Sequence, residues 1–181
     1  SQIAILSEVA HRRAGPEQPA ARDALSRIAE TSRELVDSMS DIVWAINPKR
    51  DRLSDVVQRM RRFANDACAA RDIALTFLAP VKEEHLKLGP DVRRQAYLVL
   101  KESVNNAARH SGSARVEIEL RIEGDRLVLE IRDDGRGFDP AADYEGHGLP
   151  SMRRRAAELG GKLDLTSSPG EGTRVRLEVP I

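Results

Sequence analysis

The chain has 181 residues and sets 29 Lys and Arg against 29 Asp and Glu, a formal net charge of zero. This length suits one ordinary domain, or a small domain with a helical appendage, and the balanced charge excludes a dedicated nucleic-acid binder, which needs a basic excess to neutralise phosphates. The aromatics (Trp44, Tyr97, Tyr144, Phe63, Phe77 and Phe138) are too few for a base-stacking surface, and the single Cys68 excludes a disulfide framework or a Cys-rich zinc site.

Residues 1–13 have Ile3, Leu6, Val9 and Ala10 on one helical face. The pattern begins at once, at Ser1-Gln2-Ile3, so the chain is expected to be a piece of a longer protein. No signal peptide opens it and no apolar run approaches the roughly 20 residues of a membrane helix. A soluble, cytoplasmic segment is expected, with any membrane anchor upstream. Ala14-Gly15-Pro16-Glu17-Gln18-Pro19 is a breaker cluster. A long helix is predicted over 20–47, about 40 Å at about 1.5 Å per residue. Leu25, Ile28, Leu35, Met39, Ile42 and Ile46 form a heptad seam, with Ser32 in the one missing step. A second stripe, Ala29, Val36 and Val43, runs beside it. One thin hairpin cannot bury both stripes, which points to a homodimer forming a four-helix bundle through residues 1–48; a monomer that packs the hairpin on the rest of the chain is the alternative.

Pro48 ends the long helix, and Lys49-Arg50-Asp51-Arg52 is a polar joint. From there a second domain, 49–181, is expected. Leu53, Val56, Val57, Met60, Ala64 and Ala67 predict a helix to about residue 71, followed by a strand at 73–78. Gly89-Pro90-Asp91 opens a helix that runs to about His110 and stops at Ser111-Gly112-Ser113. Val116, Ile118, Leu120 and Ile122 alternate with Arg115, Glu117, Glu119 and Arg121; the turn Glu123-Gly124-Asp125 then leads to Leu127, Leu129 and Ile131. This is an antiparallel hairpin with one wet face. A Gly-rich stretch at 133–148, a helix at 149–159 and strands at 162–167 and 173–180 complete an α+β two-layer sandwich, with helices on one face of a mostly antiparallel sheet.

Three patterns carry candidate chemistry. The first is Glu102-Ser103-Val104-Asn105-Asn106-Ala107-Ala108-Arg109-His110. Glu102 and Asn106 are four apart and Arg109 three further on, so one helical stripe would offer a carboxylate, a carboxamide and a guanidinium. Hard oxygens beside a cation suit Mg²⁺ with a phosphate chain; the same stripe also serves as a solvated face with a local ion pair. The second is Asp133-Asp134-Gly135-Arg136-Gly137 at a strand end. Its glycines let backbone approach a ligand closely, and its acid could accept from an exocyclic amine; a tight polar turn is the alternative. The third is Gly146-His147-Gly148-Leu149 opening a helix, either a phosphate cradle or a flexible helix start. His11, His85, His110 and His147 show no metal-ligand spacing.

In their order and spacing the three patterns resemble the N, G1 and G2 boxes of the Bergerat-type ATPases: DNA gyrase, the heat-shock chaperones, histidine kinases and MutL. Met39 to Pro48, the long heptad helix and Arg109-His110-Ser111 resemble a bacterial sensor histidine kinase of the class that pairs with LuxR-type response regulators. The resemblance implies that Asp133 contacts the adenine amine, that Asn106 holds Mg²⁺ on the phosphates of ATP, and that Glu102 orients the attacking group. It places Asn105, Arg109 and His110 beside the phosphates, makes Gly135, Gly137, Gly146, Gly148 and Leu149 the glycine boxes and their helix start, and sets Thr173 near adenine. Phe138 to Glu145 would be a short ATP lid. The family's acceptor box, a His followed by an acid, is missing: His11 precedes Arg12-Arg13, so the acceptor is expected upstream of Ser1. A regulatory ATP-switch module and an anti-sigma-type serine kinase of the same fold are the alternatives; the heptad helix disfavours the latter.

Overall fold

The computed structural model describes residues 3, 5, 7, 10, 19–47, 50–80, 82, 85–140 and 148–181. The expected breaker cluster at 14–18, the helix-ending Pro48, and Gly146 and His147 lie outside the described residues, as does the lid beyond residue 140. The chain divides into two compact units, Ser1–Ile46 and Asn47–Ile181.

In the first unit, helix α1 (Pro19–Ile46) matches the predicted long helix. Ala29 and Ser32 are buried on it, and so is Asp41. The expected seam and its companion stripe are mostly on the surface: Ile28, Leu35, Val36, Met39, Ile42 and Val43 are 40–66% exposed. Among the described residues no helix is long and apolar enough to cross a membrane.

The second unit runs α2 (Leu53–Ala69), β1 (Ala74–Leu78), α3 (Pro90–Asn106), β2 (Arg115–Glu123), β3 (Arg126–Asp133), α4 (Gly148–Glu158), β4 (Lys162–Ser167) and β5 (Thr173–Pro180). Five strands form one sheet in the order β1-β2-β3-β5-β4. Only β1 and β2 are parallel, because a helical crossover joins them; the other pairs are antiparallel. Period-2 alternation puts Val116, Ile118, Leu120, Leu127, Leu129, Ile131, Val175, Leu177 and Val179 in the core. Leu53, Val56, Met60, Ala64 and Cys68 of α2, at spacings of three and four, and Ala96, Val99, Leu100 and Val104 of α3 cover them.

The opposite face carries charge in rows. Glu130 lies almost fully buried there under arginines. It accepts from Arg132 Nε at 2.6 Å and Arg174 Nη2 at 2.8 Å, with Arg176 Nη1 3.8 Å away. Burial alone would raise its carboxyl, but hydrogen bonds from Arg174 and Arg132 overcome this and hold it below the ordinary carboxylate value.

The polar joint is stitched to this unit. Leu53 N donates to Leu86 O (2.7 Å), Leu88 N donates to Asp51 O (2.8 Å), and Arg52 pairs with Lys87 in an isolated antiparallel bridge. Lys87 Nζ also reaches Asp51 Oδ2 at 3.0 Å. From the first turn of α3, buried Arg93 donates through Nη1 to Asn47 O (3.1 Å) and Arg50 O (2.5 Å). Asn47, Arg50, Asp51 and Arg52 therefore belong structurally with the α/β unit.

Candidate active site

One end of the sheet gathers four of the predicted residues, Asp133, Gly135, Gly137 and Thr173. β3 ends at Asp133, β5 begins at Thr173 and β4 ends at Ser167. The register pairs Asp133 with Thr173 and Thr173 with Ser167, so the three make one row across neighbouring strands. Directly paired residues share a face, and this row has the parity of Ile131, Val175 and Leu177, on the helix-covered side.

Asp133 is half-buried. Its Oδ1 accepts from Gly135 N at 3.0 Å, an Asx-type turn that closes the strand. Burial raises its carboxyl above the ordinary value; the Gly135 amide pulls the other way and the charge of Asp134 adds to the rise. Asp134 serves the fold instead. Its Oδ1 accepts from Ala114 N and Arg115 N, both at 2.8 Å, and so anchors the start of β2.

The glycines of this loop explain how three segments meet. Arg136 N donates to Ser111 O at 2.8 Å, and Gly170 N donates to Arg136 O at 2.6 Å. A Cβ on Gly135 would lie 2.5 Å from Ser111 Cβ, one on Gly137 would collide with Ser168 O, and one on Gly172 would collide with Asp133 O. Gly137 and Gly172 also have φ of 59° and 74°, where side chains are strained. The close approach that these glycines allow is thus of chain to chain: the end of the α3 segment, the Asp133 loop and the β4–β5 turn pack without side chains between them.

On α3, Asn106 Nδ2 donates to Glu102 Oε1 at 3.4 Å, so the two share a stripe as the spacing of four requires. Arg109 does not simply continue it. Residues Ala107–Ser111 form a π turn, which advances each residue by a smaller angle than an α-helix does. Such turns recur at functional sites. The turn carries Arg109 and His110 on the surface, with Asn105 half-buried behind it, and Gly112, at φ 65°, ends it. Gly148 and half-exposed Leu149 open α4. That helix packs on α3, where Ser103 Oγ, bonded to Val99 O at 2.9 Å, also lies 3.7 Å from Met152 Sδ. Arg155 Nη1 donates to Gln95 Oε1 (2.9 Å), and Gln95 Nε2 donates to Glu158 Oε2 (3.0 Å).

Several residues here carry no signal in the sequence. Ser111 reads as a helix stop, yet it seats the Asp133 loop. Ser167 reads as a strand end, yet it bonds three partners. Gly172 reads as part of a turn; its positive φ and its blocked Cβ show why it is glycine.

Among the described residues, no group of three or more His, Cys, Asp and Glu could hold a metal ion. The donor set near α3 is instead Glu102 with the carboxamide oxygen of Asn106, whose nitrogen is engaged by Glu102. One or two hard oxygens from protein fit Mg²⁺ that takes most of its ligands from phosphates and water.

The chain belongs to the family described as histidine kinase-, DNA gyrase B-, and HSP90-like ATPase, whose model matches residues 91–181. It is 33% identical over 107 residues to the sensor protein VraS of Staphylococcus aureus, covering 56% of this chain and 31% of that protein. VraS of Staphylococcus epidermidis is 36% identical over 86 residues, or 47% of this chain and 25% of that one. The chain thus spans about a third or less of the length of these curated relatives. Two solved structures share the fold: the histidine kinase domain of the blue-light activated kinase of Erythrobacter litoralis (TM-score 0.63, 19% identity, 99% of this chain and 95% of that one) and histidine kinase AdeS of Acinetobacter baumannii (0.63, 17%, 90% and 84%).

Proposed function

We propose that this chain is the ATP-binding catalytic region of a two-component sensor histidine kinase, which transfers the γ-phosphoryl of ATP to a histidine upstream of Ser1 and from there to a response regulator of the LuxR type. The observation that carries this reading is the row at the sheet end. Asp133 accepts from Gly135 N through Oδ1, with the Thr173 amide and the Ser111 side chain also acting on its carboxylate, and this acceptor is the one assigned to the adenine amine. Thr173 lies beside it, and the α3 end with Glu102 and Asn106 is tied to the same loop through Ser111.

In this reading the unit ending at Ile46 is part of a dimerisation hairpin and the unit Asn47–Ile181 is the catalytic domain. Asn106 and the phosphates would hold Mg²⁺, whose chemistry when bound is neutralisation of phosphate charge. Arg109, Asn105 and His110 are assigned to the phosphate chain, Gly135 and Gly137 to the loop beside adenine, and Gly148 and Leu149, with Gly146, to the phosphate end. Glu102 orients the attacking imidazole, and an acid next to the acceptor histidine takes its proton. The homodimer is supported by the apolar side chains that α1 leaves on its surface. Six exposed large apolar residues on one helix demand a cover, and a second copy supplies a complementary one in a four-helix bundle.

Incubation with γ-labelled ATP tests the reading. The 181-residue chain should bind ATP yet stay unlabelled, since His11 has only Arg12 and Arg13 for neighbours. A longer chain with the upstream helix should acquire acid-labile, base-stable label, lost in Glu102→Gln. Labelling of the short chain that disappears in His11→Gln would overturn the placement of the acceptor.

A further inference from the structure

We propose that Ser167 is a specificity-determining positioning residue: it fixes the direction of the Thr173 hydroxyl so that the sheet-end row presents only hydrogen-bond acceptors, and thereby selects a base carrying an exocyclic amine over one carrying a carbonyl. The proposal rests on the nucleotide reading above and adds to it a residue that touches no nucleotide.

The argument is a count of protons. Ser167 Oγ is buried and has one hydrogen and two lone pairs. It lies 2.9 Å from Phe138 N, 2.8 Å from Gly172 O and 3.1 Å from Thr173 Oγ1. The Phe138 amide can only donate, so it occupies one lone pair. The Gly172 carbonyl can only accept, so it takes the one hydrogen. The second lone pair is all that remains for Thr173, whose hydroxyl must donate to Ser167. Its own lone pairs are then left to accept. Beside it in the row, Asp133 is an acceptor as well, with Oδ1 already engaged by Gly135 N. An amine donor meets two acceptors there; a carbonyl oxygen meets lone pairs on both. Without Ser167, the Thr173 hydroxyl is free to rotate and donate to a carbonyl, and half of the discrimination is lost.

The experiment compares ADP with IDP, which replaces the amine by a carbonyl, by calorimetric titration of the 181-residue chain. The wild type should prefer ADP. Ser167→Ala should narrow the ADP/IDP affinity ratio about fivefold, the order of one neutral hydrogen bond. Ser167→Thr, which keeps a hydroxyl, should restore it. A purely structural Ser167 would weaken both nucleotides alike and leave the ratio unmoved. Because Ser167 acts through Thr173, its effect on the ratio should vanish in a Thr173→Val background, a double-mutant cycle. Should the Ala variant fail to fold, Ser167→Cys fills the space with a poor acceptor and should narrow the ratio in the same sense. An unchanged ratio in the folded Ser167 variants refutes the proposal, as does an equal change in the Thr173→Val background. A wild type that binds ADP and IDP equally refutes the acceptor-only row. A wild type that binds neither refutes the nucleotide reading and this assignment with it.

Discussion

Replacing Asp133 by Asn separates what this residue does for nucleotide from what it does to the fold. The amide has the same shape, and its oxygen can still accept from Gly135 N at the 3.0 Å now held by Oδ1. The NH₂ then stands where the other carboxylate oxygen was, so a donor meets the donating amine of adenine. A hydrogen bond to a charged group is worth about 1.5–3 kcal/mol, so affinity for ATP should fall by roughly ten- to 150-fold. Stability should move the opposite way. Burial raises the Asp133 carboxyl above its ordinary value, so the native state binds this proton more tightly than the unfolded chain. The stabilisation of the protonated form is complete below the unfolded value and is lost as pH rises through the folded one; at neutral pH the ionised carboxylate costs stability. The Asn variant should therefore melt higher than wild type at pH 7 without nucleotide, and the gain should vanish in acid once the native Asp is protonated. Thermal melts across pH, paired with calorimetric titration of ATP, read both effects. A variant that melts lower at pH 7, or binds ATP as well as wild type, would refute the reasoning.

Glu130→Ala removes the common acceptor of Arg132 and Arg174, and should cost about 1–3 kcal/mol in denaturant unfolding at pH 7. Its carboxyl is held below the ordinary value, so its contribution is full above the unfolded value and fades as pH falls through the folded one; the variant and wild type should converge in strong acid. Arg93→Met deletes the donor to Asn47 O and Arg50 O, and should speed amide exchange at Leu53 and Leu88 while leaving ATP affinity unchanged. Leu35→Glu with Ile42→Glu should give monomers by light scattering over a concentration series, because the change would bury charge in the bundle seam; a wild-type chain that is monomeric throughout the series would end the dimer proposal.

Local rules made most of the elements legible. The apolar spacing of Leu53, Val56, Met60 and Ala64 has a helical period, and the alternation from Val116 to Ile131 a strand period; such patterns act over a few residues and survive in any context. Proline and glycine marked ends by fixing or freeing φ at Pro90, Gly112 and Gly124. The order of Glu102 and Asn106, Asp133, and Gly148 carried the family resemblance, since box order is itself a linear property.

What only the tertiary structure decided are the matters that depend on which segments meet. Asp133, Thr173 and Ser167 are far apart in sequence and become one row through strand pairing. Gly135, Gly137 and Gly172 are glycines because Ser111, Ser168 and Asp133 occupy their side-chain space, a reason no local pattern contains. Arg93 could not be read as the clamp of a joint some forty positions earlier, nor the joint as part of the α/β unit, because their hydrogen bonds run to backbone carbonyls that have no sequence identity. The π turn at Ala107–Ser111 likewise escaped the three-and-four spacing, which assumes the α-helical step throughout. Periodicity determines the elements of this protein; the contacts between distant backbone segments determine the geometry of its site.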